Sequence, residues 1–540
     1  MSLNINKNTK LLATAGLCAA CWSGIASAQL ATNLMVDPYA LSLGNAVTAA
    51  PPGVASIHYN PAGLTKLKGR QLAVTLMGVH ANIQSDFYAP EGYNVFGIDG
   101  VENDPIFDGD TVARSRTNTI ALYVPGFGIQ RLPKGPPALA PSVGFSLNPP
   151  GSKFTFANLT YGPEILGYYR KKDDPARYLG KALSLQRFTY LSPSFGYEIN
   201  DEWSVGFGVS MSSQSLALDT YTRAPNLMIG VLEVLQDAFN CETGEEPLAP
   251  FLGLCGGNVG PWDDIGGMSI QVQETLSPKY HVGVLWEPTD WFAWGASYQS
   301  ESDMKLKGTY ELAYTDDWSG FWRSFNGSIV GAITAGIFSL PSGTPREAGQ
   351  LSIDLTHPQH FQTGVSVKLN HQFTVNVDVG WTDYSSWDAF LLKFDRNLEF
   401  LGAARLLSPN ATANTMRLPL EYQDVWNVGV GVEQHLSNRL DLRFGVEMRN
   451  SPIPHNRRDI LAPLNDTVLY SVGMGYKWDR DTTVDFNLSY MRSWQYIPAG
   501  SSLNLNDDGI QNIVYNPYAG VDVETNLKLI MAGMTFRTAF

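Results

Sequence analysis

Between Arg439 and Arg449 the chain reads RLDLRFGVEMR and alternates at every position. Leu440, Leu442, Phe444, Val446 and Met448 fall on one face, with Arg439, Asp441, Arg443, Gly445, Glu447 and Arg449 on the other. Period 2 is the repeat of a β-strand, whose successive side chains point to opposite faces. The same alternation sets Phe373, Val375, Val377, Val379 and Trp381 against Thr374, Asn376, Asp378 and Gly380, and it returns at Val484, Phe486, Leu488 and Tyr490. A soluble sandwich alternates in this way too. The connections argue against one, because tight turns near 200–202, 288–290, 370–371, 437–438 and 479–481 take turns with long loops near 220–268, 315–349, 385–416, 450–466 and 497–521. Short turns at one end and long loops at the other is the pattern of a transmembrane barrel. No segment after the leader reaches the ~20 apolar residues of a spanning helix; the longest candidate is Ile329 to Phe338. A closed barrel is the remaining way to satisfy every backbone group within a bilayer.

Strand starts are expected near residues 70, 138, 153, 185, 203, 269, 291, 350, 372, 417, 439, 466, 482 and 522. That even number predicts an all-β fold, a 14-stranded antiparallel transmembrane β-barrel. The last strand sets Ile530, Ala532, Met534, Phe536, Thr538 and Phe540 on one face and ends the chain on an aromatic, which looks like the signal read by barrel assembly machinery.

Lys7 and Lys10 precede a short apolar run, and Ala26-Ser27-Ala28 is an A-x-A cleavage site, so residues 1–28 are expected to be a signal peptide. Cys18 and Cys21 leave with it. The remaining pair, Cys241 and Cys255, enters an oxidising compartment, where one local disulfide is expected. Losing two lysines with the leader takes the formal charge from −14 to −16, which argues against nucleic acid as a partner. Charged residues are 16% of the chain, against roughly 25% in average soluble proteins.

Residues 29–69 do not alternate, and Pro51-Pro52, Gly53 and Asn60-Pro61-Ala62-Gly63 bar them from the barrel wall. Too apolar to trail in water, they are expected to plug the lumen, leaving residues 70–540 for the barrel and its loops. Ser42 to Ala46 (S-x-G-N-A) and Asn60-Pro61-Ala62 with the following Gly-Leu resemble the hatch of the FadL-type long-chain fatty-acid transporter family, which includes aromatic-hydrocarbon channels. The resemblance continues through Leu355 to Phe361, through TVNVDVGWTDYSSWDAF and through Tyr422 to Arg458, where Ser451-Pro452-Ile453-Pro454 is the most specific match.

The resemblance implies an outer-membrane transporter for hydrophobic compounds, fatty acids or hydrocarbons, working by passive, ligand-gated diffusion. It implies an inward kink of the third strand that opens a lateral exit, placed here at Tyr161-Gly162-Pro163. Pro163 has no N–H to give a sheet and Gly162 no side chain to pack, an independent reason for a break; an ordinary β-bulge is the alternative. Two long loops, about 217–270 and 311–349, carry apolar residues at helical spacing, among them Leu227, Val231 and Leu235 in the first and Phe325, Ile329, Ile333 and Ile337 in the second. They are expected either to form an apolar capture groove or simply to pack on the loop bundle. Arg223, Lys305 and Lys307 are the candidate partners for a cargo carboxylate.

The chain has no H-E-x-x-H, G-x-S-x-G or Walker motif, so no catalytic residue is assigned and no enzymatic activity, cofactor or metal is expected. The acidic residues Asp99, Glu102, Asp104, Asp108 and Asp110 miss the spacing of a Ca²⁺ loop and read as a solvated segment. Outer-membrane lipid and lipopolysaccharide are the expected surroundings of a monomer. A general diffusion porin and an adhesin or structural barrel are the competing functions; the first needs an open lumen, and the second needs neither kink nor apolar loops.

Overall fold

The computed structural model describes residues 33–132, 138–241, 251–338, 340–405, 408–463, 465–509 and 516–540; the expected signal peptide, residues 1–28, lies outside the described residues. Fourteen antiparallel strands close into a barrel. They are β1 (Gly69–Tyr88), β2 (Ala138–Asn148), β3 (Phe154–Tyr169), β4 (Ala182–Leu191 and Ser194–Glu198), β5 (Trp203–Thr222), β6 (Gly266–Thr289) and β7 (Phe292–Gln299 and Ser302–Tyr314). After them come β8 (Arg346–His357 and His360–Lys368), β9 (Phe373–Thr382 and Ala389–Phe394), β10 (Thr415–Pro419 and Val425–His435), β11 (Leu440–Arg449), β12 (Thr467–Lys477), β13 (Thr482–Ile497) and β14 (Asp522–Ala539). β14 pairs with β1 from Gln71↔Ala539 to Tyr88↔Asp522, which removes the free edges an open sheet would leave. A short strand, Val112–Thr117, extends the wall beside the upper half of β1.

The alternation has a physical reading on β11. Phe444 and Met448 are half exposed on the outside, while Asp441, Arg443, Gly445, Glu447 and Arg449 are buried within. The apolar face meets lipid; the polar face turns inward. Higher on the wall the relation reverses, since in β7 Met304, Leu306, Tyr310 and Leu312 are buried inside and Asp303, Lys305 and Lys307 point out. Above the hydrocarbon band the outer surface meets water and headgroups, so the apolar side of the strand is free to line the lumen.

The strands also run further than the loop boundaries read from sequence. β5 continues to Thr222, β6 begins at Gly266, β7 ends at Tyr314 and β8 begins at Arg346, so the two long loops are shorter than 217–270 and 311–349.

Residues 33–68 pack inside the barrel. Lumen-facing glycines make the space: a side chain at Gly283 or Gly206 would strike Asn60 or Pro61, and one at Gly445 would strike Leu43 and Gly44. Gly44 and Asn45 adopt φ of 62° and 57°, the left-handed turn that the Gly-Asn pair of S-x-G-N-A accommodates.

Candidate functional site: the cavities behind the third strand

The inner segment is tied to the wall by a few directed contacts. Helix α1 (Pro38–Ser42), which a short α2 (Ser56–Tyr59) follows, is capped by Asp37, whose carboxylate accepts from the Ala40 N–H at 3.1 Å. Tyr39 lies 4.1 Å below the Arg443 guanidinium, which pairs with Glu433 and Asp485. Asn45 donates to Glu447 at 2.7 Å. The Asn60 side chain accepts from the Ala62 N–H and donates to the Thr48 and Val284 carbonyls, so it fixes the turn and docks it on β6 at once. Pro61 follows at the first helical position, where its missing N–H costs nothing.

β3 breaks at Tyr161-Gly162-Pro163. Pairing of β2 with β3 runs from Leu147↔Phe156 to Val143↔Thr160 and stops. Beyond it β3 ladders with β4 alone up to Tyr169, whose N–H donates to the Thr119 carbonyl, and the register shifts between Tyr161↔Thr189 and Glu164↔Arg187, two β3 residues standing against one of β4. The feature is therefore a β-bulge and also a loss of one neighbour. β2 shares in the cause. Continuing the register would set Pro141 opposite Gly162, so both strands flanking the break contain a proline, a residue that sheets tolerate at edges. Gly162 is not sterically obliged, because an added Cβ would meet nothing nearer than 3.6 Å.

The bulge changes which residues face inward. Through Tyr161 the odd-numbered residues of β3 are buried, and after it Glu164 and Leu166 line the lumen cavities. Glu164 meets His357 of β8, with Oε1 to Nε2 at 2.5 Å. Lys279 of β6 donates to His357 Nδ1 at 2.9 Å and to the Pro358 carbonyl at 3.0 Å. Arg187 of β4 donates to both Ser277 Oγ and the Ser277 carbonyl. The inner segment joins the group through His58, whose ring nitrogens bond Tyr161 Oη at 2.9 Å and Asn33 Oδ1 at 2.6 Å.

Three cavities lie in series along this wall. An apolar one of about 180 Å³ is lined by Leu166, Leu185, Leu216, Leu355, Phe390 and Leu418 among others. A small one of about 20 Å³ shares Leu166, Leu185, Leu355 and Trp387 with it. That space in turn shares Glu164, His357, Pro358 and Tyr384 with a third, of about 40 Å³, which Tyr161 and Pro163 border at the break. The run is greasy at the top and charged at the bottom.

The proposed carboxylate partners fare differently. Arg223 is fully buried in a two-pronged pair with Asp104, so neither group is available to a cargo. Lys305 and Lys307 face outward, with Lys305 beside Asp354, because polar residues point out at this height of the wall. None of the three lines the apolar cavity. Arg187 and Lys279 are the arginine and the lysine that line the cavity at the break; the sequence signal for them was their position on the buried face of alternating strands.

The loop helices are α3 (Leu227–Ala238), α4 (Asp316–Gly327) and α5 (Ile329–Phe338). Ile229, Leu232 and Phe239 pack with Leu254, Val259, Trp318, Phe321 and Phe325 in a loop core. Val231 is half-buried, whereas Leu227, Leu235, Ile329 and Ile333 are exposed; the Ile337 side chain lies outside the described residues. The helices thus pack on the loop bundle and still present apolar residues to the exterior. Cys241 and Cys255 are bonded to each other below α3 in sequence. Asp104 is taken by Arg223 and Tyr93, and Asp99 caps a helical turn, so the acidic run does not converge on one point.

Among relatives, the long-chain fatty acid transport protein of Escherichia coli K12 is 22% identical over 351 residues, 65% of this chain and 66% of that protein. The alignment thus spans just under two thirds of its length. A putative outer membrane protein of Neisseria meningitidis is 22% identical over 207 residues, 38% of this chain and 40% of that one. Among solved structures, a Pseudomonas aeruginosa FadL homologue superposes with a TM-score of 0.64 at 18% identity, covering 95% of this chain and all of that one. The Pseudomonas putida toluene transporter TodX gives 0.57 at 14% identity, covering 95% and 99%. At these identities the superpositions establish the fold. The family described as outer membrane protein transport protein (OMPP1/FadL/TodX) matches residues 17–540, and the chain belongs to that family.

Proposed function

We propose that this barrel admits small hydrophobic molecules through the outer membrane and releases them sideways between β2 and β3. The observation that carries the reading is the series of cavities ending at the break in β3, with apolar walls above and Tyr161 and Pro163 below. The route suits a greasy cargo, which a water-filled pore would not solvate. The relatives include proteins named for long-chain fatty acids and for toluene, and either class is compatible with the outline of the route.

The two lower cavities are too small for such a cargo, so passage requires the Glu164–His357–Lys279 group to part. In this reading residues 29–69 act as a hatch. His58 couples them to Tyr161 directly before the bulge, so movement of the hatch and of β3 are linked through this hydrogen bond. The apolar faces of α3 and α5 would capture cargo outside, and passage is passive, driven by its gradient. The chain works as a monomer in lipid and lipopolysaccharide after insertion by the assembly machinery. A porin is disfavoured because residues 33–68 and the Arg443 ion pairs fill the lumen.

The test is uptake of radiolabelled toluene and of a radiolabelled long-chain fatty acid by cells that lack their own transporter. Expression should raise uptake of at least one above the empty-vector rate, without conductance for small ions. Ion conductance of porin size with no gain in either uptake would refute the reading.

A further inference from the structure

The apolar cavity has one acidic residue on its wall and no basic one. Among the described residues that line it, Asp459 is the sole Asp, Glu, Lys, Arg or His. It lies in the loop between β11 and β12, and one carboxylate oxygen, Oδ1, accepts from the Leu461 and Ala462 N–H groups. The other oxygen has no hydrogen-bond partner and no ion pair among the described residues. Of the arginines nearby, Arg457 pairs with Glu421, and Arg170 donates to the Gly180 carbonyl and lies over the Tyr168 ring; Arg170 Nε and Nη2 and Arg458 Nε have no partner among the described residues, but none of the three arginines lines the cavity. Burial in these surroundings pushes the Asp459 carboxyl up to about 6, the direction expected of an acid held without a counter-charge.

A second polar atom is unfilled. Tyr422 lines the same cavity, stacked on Trp387 with centroids 5.8 Å apart, and its hydroxyl makes no hydrogen bond among the described residues. The other polar side chains on the wall are satisfied: Asn504 by Arg457 and the Pro419 carbonyl, Thr220 by the Arg177 carbonyl, Thr222 by the Gly266 carbonyl and Tyr178 by Asp264. An acceptor and a hydroxyl therefore remain open in an otherwise hydrocarbon space. At about 180 Å³ that space is of the order of the ~150 Å³ apolar cavities that hold one benzene ring.

We propose that this cavity binds a compact uncharged molecule bearing a hydroxyl group, a phenol or an alcohol, and that Asp459 selects against a carboxylate. The hydroxyl donates to the free oxygen of Asp459 and accepts from Tyr422 while the apolar body packs on the leucines. A carboxylate at the same place would set two like charges together against a largely apolar wall that carries no cation of its own to compensate. The inference rests on the transport reading and narrows its cargo.

The experiment is calorimetric titration of the detergent-solubilised full-length barrel at pH 8 with p-cresol, toluene and benzoate, three probes of similar size. Wild type should bind p-cresol more tightly than toluene, and benzoate at least about tenfold more weakly than p-cresol. Asp459→Asn keeps an oxygen for the Leu461 and Ala462 N–H groups and removes the charge, so it should strengthen benzoate binding and shrink that ratio severalfold. Benzoate binding as tight as p-cresol in wild type, or a ratio unmoved in a folded Asp459→Asn barrel, overturns the selectivity and leaves the transport reading standing. Failure of all three probes to bind overturns the cargo proposed here and leaves the transport reading to be decided by the uptake test. The wild-type ratio decides the matter even if the variant does not fold.

Discussion

Healing the break in β3 should shut the exit, and the structure specifies how. Substituting Gly162 and Pro163 in place would restore strict alternation through a strand with one residue too many, turning Glu164 from the lumen to the outer face. Deleting Pro163 avoids this. Tyr161, residue 162 and Glu164 would then face Thr189, Phe188 and Arg187 of β4 one to one, and Glu164 would keep its place beside His357. Gly162→Val adds a β-branched side chain where there is room, and Pro141→Thr returns an N–H on the β2 side. Extending the Val143↔Thr160 register then opposes residues 138–142 to the healed strand. An antiparallel ladder averages about one hydrogen bond per opposed pair, each worth a net ~0.5–1.5 kcal/mol, so about five pairs yield roughly 2.5–7.5 kcal/mol. Pulling Glu164 away from His357 and Lys279 would have cost ~3–5 kcal/mol, which is why the deletion is preferred to the substitution alone. Even the lower figure favours the closed wall by more than about fiftyfold. Uptake of labelled cargo should fall at least about tenfold in the triple variant, with surface abundance and heat-modifiable migration retained and binding of cargo to the purified barrel intact. Near-normal uptake through a barrel whose crystal structure has β2 and β3 paired to residue 138 would refute lateral release.

Asn60→Ala with Pro61→Ala removes three hydrogen bonds of the hatch turn, a loss of roughly 1–3 kcal/mol for each group left unpaired; uptake should drop while the barrel stays folded, and unchanged uptake at equal abundance counts against a gating role. Glu164→Gln leaves Lys279 and Arg187 without their buried counter-charge, so the urea midpoint should fall and, if the group is a gate, initial uptake should rise; slower uptake at a normal midpoint contradicts that. Glu233 on α3 has its carboxyl pushed up from 4.5 to about 7 by burial and by Asp263 and Asp237. A raised carboxyl penalises the folded loop progressively as pH climbs from its unfolded value to about 7; Glu233→Gln should therefore slow proteolysis of that loop at pH 8 and leave it unchanged at pH 4.5, and equal effects at both would remove the charge explanation. Replacing Cys241 and Cys255 by serine should loosen the same loop by ~3 kcal/mol for a span of about 15 residues, read as faster amide exchange there with the strands unaffected.

Much of the barrel is a local matter and so was legible in the residues. Alternation, turn chemistry and strand length are written within a few positions of one another, and every expected strand start lies within a few residues of an observed one, from Gly69 for β1 to Asp522 for β14. The break at Gly162-Pro163 is local too, since proline fails as a ladder donor in any context. What period 2 cannot say is which face is inside. That depends on depth in the membrane, and it is why Lys305 and Lys307, chosen for their charge, turn outward while Arg187 and Lys279 turn in. A bulge of one residue reverses the parity once more, and it brings Glu164 to His357, 193 residues away, a contact that no spacing announces. Pro141 stood in plain view, yet its role exists only because closure of the barrel sets β2 against β3 at Val143↔Thr160. Asp459 shows the same division. The loop that holds it was recognisable from Ser451-Pro452-Ile453-Pro454, but only the packing of β3 to β10 around it gives its carboxylate a hydrocarbon chamber to face. Faces and breaks are properties of a strand; chambers, counter-charges and exits belong to the strands that close around them.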